Sequence, residues 1–369
     1  MPGLSIHSDE ERVAHYRSPY KPFGILRFIL ALMVLVQHFC DDIAPAAIRQ
    51  AVLPWAPGNV AVLGFFVISG FIVCEAYHFN YRDRPVAYFK NRLLRIVPAY
   101  WAALAVSILV HFVILHYQGH LTSLDRHNIT DVHFGFKNIL MNVFGIFPPV
   151  VVNVTPTQYP FIPYAWALQT EMMFYLTLFI VGFFYQHAGK YTGVPQYAWL
   201  ALAGYAGIIA AGLTHIGILP RQMAYGSYFA FGGALFFVLN GERRAWLVLV
   251  PAFVQMMSHF HTYAAEDFID LAANRPGQLL LLILILAWIV ALAAARVRHT
   301  KIDKILGDHA YALYLNHYVV AVVILDCVNH ASAIWLAAGL AASLALTRVM
   351  FLVAEKPFVA MRKAIRGNE

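Results

Sequence analysis

Charged residues are scarce in this sequence. Only 12% of its 369 residues are Asp, Glu, Lys or Arg, whereas 60% are hydrophobic. A soluble domain carries roughly 25% charged residues, so this chain has too few polar side chains to cover a water-soluble globule. The composition excludes an ordinary soluble domain and predicts an integral membrane protein.

Cysteine is also rare, with only Cys40, Cys74 and Cys327, all in or beside apolar segments. An odd number without a CxxC pair gives no disulfide framework and no metal-ligand signature, so we expect no metal. The net charge of +7 could suggest a nucleic-acid partner, but the basic residues lie in short segments between apolar stretches. We therefore expect no nucleic-acid partner and attribute the charge to membrane topology.

Long apolar segments recur along the whole chain. A spanning helix needs about 20 mostly apolar residues. Ten segments qualify, roughly 23–41, 60–78, 97–116, 166–185, 197–214, 223–239, 245–260, 278–295, 309–328 and 331–353. The shorter stretch 138–152 contains Pro148 and Pro149 and is interpreted as re-entrant or interfacial. The sequence thus predicts an all-α integral membrane protein with about ten transmembrane helices.

The basic residues alternate strongly between the segments that connect these spans. In the predicted topology, nineteen of the 26 Lys and Arg residues fall on one side of the membrane and five on the other. The positive-inside rule places the richer side, with both termini, in the cytoplasm. We expect a cytoplasmic tail over 1–22, a transmembrane domain over 23–356 and a second cytoplasmic tail over 357–369.

The first span contains two ionisable residues, Arg27 and His38, which are costly inside a membrane. Eleven residues make three helical turns plus about 20°, so they share one face and lie about 16 Å apart along the axis. A histidine held by Asp41 or Asp42 could act as a general base. The alternative is a helix-end histidine and interfacial aspartates that face the headgroups.

A basic cluster, YFKNRLLRIVP, precedes the third span, and Pro98 in it fits a helix start. Arg92 and Arg95 are three residues apart and share one face of a helical turn. Two guanidinium groups on one face suit a phosphate-rich ligand. The alternative is contact with lipid headgroups.

Further polar residues fall inside the remaining spans. Glu171 should face the protein interior, where it could pair with Arg27, His38 or another basic residue, or simply favour a helix start. Around Ser69, the segment GFFVISGF carries two glycines, Gly64 and Gly70, and we assign it to close helix packing.

Near the end of the chain, LGDHAYALYLNH places Tyr311, Tyr314 and His317 at intervals of three on one helix face. They could form aromatic packing or a polar lining for a cofactor arm or an acceptor.

Taken in order, these motifs resemble those of the acyltransferase-3 family of membrane O-acyltransferases, over about residues 20–357. The pair Arg27 and His38 is similar to the family's first-helix motif, and RLLR to its paired arginines. FFVISGF, WALQTEMMFY and YALYLNH resemble its later segments. The sequence departs from the family pattern at Leu63, Ala167 and Ala310, where many members have polar residues, and this bears on the acceptor more than on the reaction.

The resemblance implies transfer of an acyl group, acetyl by default, from cytoplasmic acyl-CoA to a hydroxyl of an extracytoplasmic carbohydrate or lipid-linked glycan. It implies a multi-pass protein of the bacterial inner membrane, in contact with membrane lipid. The implied catalytic residues are His38, Glu171 and Asp42, and the implied donor-binding residues are Arg27, Arg92, Arg95, Tyr311 and Tyr314.

Two other classes of function remain open from the residues alone. In a transporter or flippase, the intramembrane Arg, His and Glu residues would form a substrate or proton path. In a non-catalytic scaffold or lipid-binding subunit, they would have no chemical role. The sequence leaves the oligomeric state open, a homo-oligomer included.

Overall fold

The protein is built from α-helices. The computed structural model describes residues 22–121, 134–148, 150, 158–189, 196–215, 221–267, 274–295, 300–328 and 331–367. Its helices are α1 Gly24–Asp42, α2 Ala46–Val52, α3 Pro57–Asn80, α4 Pro85–Gln118, α5 Phe136–Phe144, α6 Ala165–Phe184, α7 Gln196–His215, α8 Gly226–Leu239, α9 Trp246–Asp267, α10 Arg275–Ala294, α11 Lys301–Val328, α12 Ala333–Met350 and α13 Lys356–Arg366.

A helix covers most of each predicted span. Within the described ranges, eight helical stretches are long and apolar enough to cross a membrane. Of the other two predicted spans, α7 has an apolar part limited to Ala198–Thr214, and α9 is diluted by the polar stretch SHFHTY. The prediction of an all-helical, multi-pass membrane protein is confirmed.

The third span differs from its prediction at its start. Helix α4 begins at Pro85, and Pro98 lies inside it rather than at its first turn. A proline removes one backbone hydrogen bond, a defect that helices within a membrane bundle tolerate. Arg92 and Arg95 therefore stand on the same continuous helix as the span.

Helix α1 is fixed to α11 at the end of the bundle that carries Arg27. The first N–H groups of a helix have no acceptor within the helix. The carboxylate of Asp303 accepts from the N–H of Ile25 at 2.8 Å. Gly24 and Gly307 allow the two backbones to touch, because a Cβ atom at either glycine would overlap the other helix. This contact sets the register between the Arg27–His38 face and the Tyr311–His317 face.

A second close crossing joins α3 and α8. A Cβ atom at Gly70 would overlap the backbone of Phe229, and one at Gly232 would overlap the carbonyl oxygen of Val67. Small residues permit this approach, which is a common source of helix association in membranes. The packing role predicted for Gly70 is confirmed.

Helix α13 lies along the first turns of α4. Arg84 donates to the carbonyl oxygens of Ile365 at 2.8 Å and Arg366 at 3.3 Å, and Asn91 donates to that of Arg362 at 2.8 Å. The segment assigned above to a cytoplasmic tail thus contains a helix that is docked through its own backbone.

We predict that Gly232→Ala lowers the free energy of unfolding by about 1–3 kcal/mol, because the added methyl group must displace the α3 backbone. The midpoint of thermal unfolding of the detergent-solubilised protein measures this change. Gly212→Ala is the matched control, since a Cβ atom there meets nothing within 4 Å. Equal midpoints for the two variants would contradict the close crossing.

Candidate active site

A cavity of about 480 Å³ runs between α1, α3, α4, α6, α11 and α13. Six of the eight site residues predicted from the sequence line it, namely Arg27, Arg92, Arg95, Glu171, Tyr311 and Tyr314. The fold therefore collects, in one space, side chains that are scattered over nearly 290 positions of the sequence.

Basic side chains outnumber acidic ones along this cavity. Among the residues that the structure describes, its lining contains four acidic ones, Glu75, Glu171, Asp303 and Asp308. The basic residues are Arg27, Arg92, Arg95, Lys304, Arg362, Lys363 and Arg366. Guanidinium groups in a partly desolvated space favour phosphate and carboxylate ligands. The lining is therefore suited to an anionic ligand.

Arg92 lies against two tyrosine rings. Its guanidinium carbon is 5.6 Å from the centre of the Tyr88 ring and 5.3 Å from that of Tyr175. Such contacts offset part of the cost of burying a cation. The buried Nε of Arg92 has no acceptor among the described residues. Its charge is thus held in place by aromatic faces and remains available to a ligand.

Arg95 is placed differently from Arg92. It forms an ion pair with Glu355 at 2.9 Å, and the two side chains are 14% and 3% exposed. Its guanidinium carbon also lies 5.5 Å from the ring centre of Tyr311. The two arginines share one face, as their spacing predicts, but the charge of Arg95 is largely compensated.

Glu171 is joined to the arginine end of the cavity. Its Oε1 accepts from the hydroxyl of Ser69 at 3.0 Å and from the hydroxyl of Tyr175, whose ring contacts Arg92. These bonds support a role in balancing the arginines, one of the roles considered from the sequence. The hydrogen bond from Ser69 shows that GFFVISGF contributes more than packing.

His38 faces the protein interior, where its ring stacks on two others. The centre of the Tyr164 ring is 3.7 Å from that of His38, with 26° between the planes. The His317 ring is 5.3 Å away at 16°. The alternative considered from the sequence, a helix-end histidine that faces the headgroups, does not account for these two ring contacts.

The two aspartates after His38 occupy different environments. Asp41 is exposed and pairs with Arg49 at 2.9 Å, as an interfacial charge would. Asp42 lies one turn from His38 and is only 8% exposed. Of the two candidates for orienting the histidine, Asp42 is thus on the interior side.

His317 is the site residue that sequence reasoning treated too lightly. It is fully buried, and its Nδ1 lies 3.3 Å from the carbonyl oxygen of Leu313. Its Nε2 has no hydrogen-bond partner among the described residues. One turn earlier, the hydroxyl of Tyr314 donates to the carbonyl oxygen of Tyr164 at 2.8 Å. Tyr314 lines the cavity, so it connects that space with the stacked rings.

The backbone before Tyr164 is fixed by α5. The side-chain oxygens of Asn138 and Asn142 accept from the N–H groups of Tyr159 and Phe161, each at 3.0 Å. Helix α5 has nine residues, too few to span a membrane. This agrees with the non-spanning interpretation of 138–152, whose residues 149, 151 and 152 lie outside the described part. Helix α5 therefore positions the chain segment just before Tyr164, which leads to the stacked histidines.

Tyr159, in the same segment, takes part in a chain of buried hydrogen bonds. The hydroxyl of Tyr159 is 2.8 Å from Nε2 of His111 and 3.2 Å from the hydroxyl of Tyr318. Burial raises the pKa of Tyr159 to about 12, so this hydroxyl stays protonated at neutral pH. These hydrogen bonds therefore stabilise the wall of the site through neutral groups.

These features define a cavity within the helical bundle that suits an anionic ligand and is connected through Tyr314 and Tyr164 to two histidines. Residues 23–352 match the acyltransferase domain of the acyltransferase-3 family. The chain belongs to this family of membrane acyltransferases. No curated protein and no solved structure matches it.

We predict that Arg95→Gln and Glu355→Gln each destabilise the protein by about 3 kcal/mol, because each leaves one buried charge without its partner. The double variant should lose less than the sum of the two single changes. Thermal unfolding of all four proteins gives the coupling energy. The exposed ion pair between Arg49 and Asp41 is the control, and Arg49→Gln should lower the free energy of unfolding by less than about 1 kcal/mol. Strict additivity for Arg95 and Glu355 would contradict a functional ion pair between them.

Proposed function

We propose that this protein transfers an acyl group, with acetyl as the expected one, from cytoplasmic acyl-CoA to a hydroxyl of an extracytoplasmic carbohydrate or lipid-linked glycan. The main support for this proposal is the cavity. Its arginine end suits phosphates, and its other end, at Tyr314, is one hydrogen bond from the residue that stacks on His38.

The donor would lie along the cavity with its phosphates toward Arg92 and Arg27. Arg92 is favoured over Arg95 as a phosphate ligand, because Glu355 already compensates Arg95. The narrow pantetheine arm would pass between apolar and aromatic side chains such as Phe65 and Phe66. This orientation carries the thioester toward Tyr314 and the stacked histidines.

His38 would act as the general base. It takes the proton from the acceptor hydroxyl while the acceptor oxygen attacks the thioester carbonyl carbon. The carbon–sulfur bond then breaks, an ester forms, and the proton passes to the leaving thiolate to give free coenzyme A. Asp42, near His38, is the proposed orienting carboxylate, and Glu171 would stabilise the arginine end.

The acceptor end is proposed to open on the outer side of the bacterial inner membrane. The loop charges favour this orientation, because α13 and the arginines belong to the basic, cytoplasmic side. Two departures from the family pattern, Ala167 and Ala310, line the cavity itself. Small apolar side chains there leave room for a substrate where a polar contact is missing.

The transporter alternative is weakened by membership of an acyltransferase family. A transporter would move its substrate without cleaving a thioester. Release of free thiol from acyl-CoA, dependent on a glycan acceptor, separates these two functions.

We predict that His38→Ala abolishes acceptor-dependent thiol release from acetyl-coenzyme A, with a loss of at least about 100-fold, as expected for removal of a general base. The assay uses the purified protein in nanodiscs with extracted cell-envelope glycans. His116→Ala is the control, because this histidine is exposed on α4 and its ring contacts those of two exposed residues, Phe112 and Tyr117. Equal rates for wild type and a folded His38→Ala would remove His38 from the chemistry.

A further inference from the structure

Helix α13 lies beyond the residues that the family match covers, which end at 352. Membership of the family therefore assigns it no role. Yet four of its residues, Val359, Arg362, Lys363 and Arg366, line the cavity. A segment that looks like a basic tail in the sequence forms one wall of the site.

The arginines of α13 are turned toward the cavity. Arg362 and Arg366 are four residues apart, so they occupy the same face of the helix. Both are half-buried, and Nε of Arg362 is buried without an acceptor among the described residues. A basic helix whose purpose is to contact lipid headgroups would instead present its guanidinium groups to the membrane surface.

The hydrogen bonds that dock α13 leave the side chain of Arg362 available. The bonds from Arg84 and Asn91 end on its backbone carbonyl oxygens. The side chain at position 362 can therefore be replaced without removing one of these bonds. The bonds that hold α13 thus do not use the side chain of Arg362.

The charge balance at this wall favours a bound polyanion. Arg362 lies in the electrostatic field of Arg92, Arg95 and Arg366, with Glu355 as the nearby carboxylate. Glu355 already pairs with Arg95. Like charges at short range repel one another, and an anion bound between them relieves this repulsion. Lys304 and Lys363 add further positive charge to the same lining.

We propose that Arg362 and Arg366 form a phosphate-binding subsite for the nucleotide end of the acyl donor, at the α13 wall of the cavity. The inference rests on the proposed function for the identity of that nucleotide, coenzyme A. Arg92 and Arg27 then contact the donor deeper in the bundle. The ligand chemistry is a nucleotide with several phosphate groups.

The test is coenzyme A binding by isothermal titration calorimetry to the full chain in nanodiscs of zwitterionic lipid. The double variant Arg362→Gln, Arg366→Gln should lose about tenfold or more in affinity, as expected for the loss of charge-assisted hydrogen bonds. The loss should be smaller for dephospho-coenzyme A, which has one phosphate group fewer. Lys356→Gln on the same helix is the control, since this lysine is exposed and lies outside the cavity lining.

Unchanged affinity in the double variant would overturn the subsite, and so would the absence of coenzyme A binding to the wild type. A parallel series in nanodiscs with anionic lipid tests the other source of phosphate. A variant that loses stabilisation by anionic lipid but keeps its nucleotide affinity would also overturn it. Binding is measured without turnover, so nucleotide affinity that falls in a protein without acyl transfer would contradict the proposed function alone.

Discussion

Burying Arg27, Arg92 and Arg95 among membrane helices carries a desolvation cost that the bundle must offset. The structure offsets it unevenly. Arg95 has a carboxylate partner, Glu355, whereas Arg92 is held by the faces of two tyrosines. A lining whose positive charge exceeds its negative charge is best stabilised by an anion. This imbalance is the physical basis of the proposed donor site.

A few contacts between helices fix the geometry of the bundle around these arginines. The Asp303 cap and the Gly24–Gly307 contact hold α1 against α11 in one register. That register brings His38 beside His317 and Tyr164, while Arg27, about 16 Å along the axis, lines the cavity. Hydrogen bonds to helix α5 hold the chain segment before Tyr164 in place. The proposed phosphate-binding and proton-transfer residues of α1, Arg27 and His38, therefore lie at opposite ends of this helix.

The sequence predicts the features that depend on local spacing. The helical spans and the shared face of Arg92 and Arg95 follow from periodicity, as does the alignment of Tyr311, Tyr314 and His317. Contacts between distant segments are beyond such reasoning. Glu355 lies 260 residues from Arg95, and Ser69 lies 102 residues from Glu171. The start of α4 predicted from Pro98 was wrong, because a proline in the sequence cannot distinguish a first turn from a tolerated interior position.

The central claim is that one donor molecule spans the cavity from the arginines to His38. The most direct measurement is a cryo-electron microscopy structure of the protein in nanodiscs with a non-hydrolysable acyl-CoA analogue. We expect phosphate density beside Arg92, with the acyl end between Tyr314 and the stacked rings of Tyr164 and His38. An analogue bound outside the cavity, or one with its acyl end at the arginines, would contradict it.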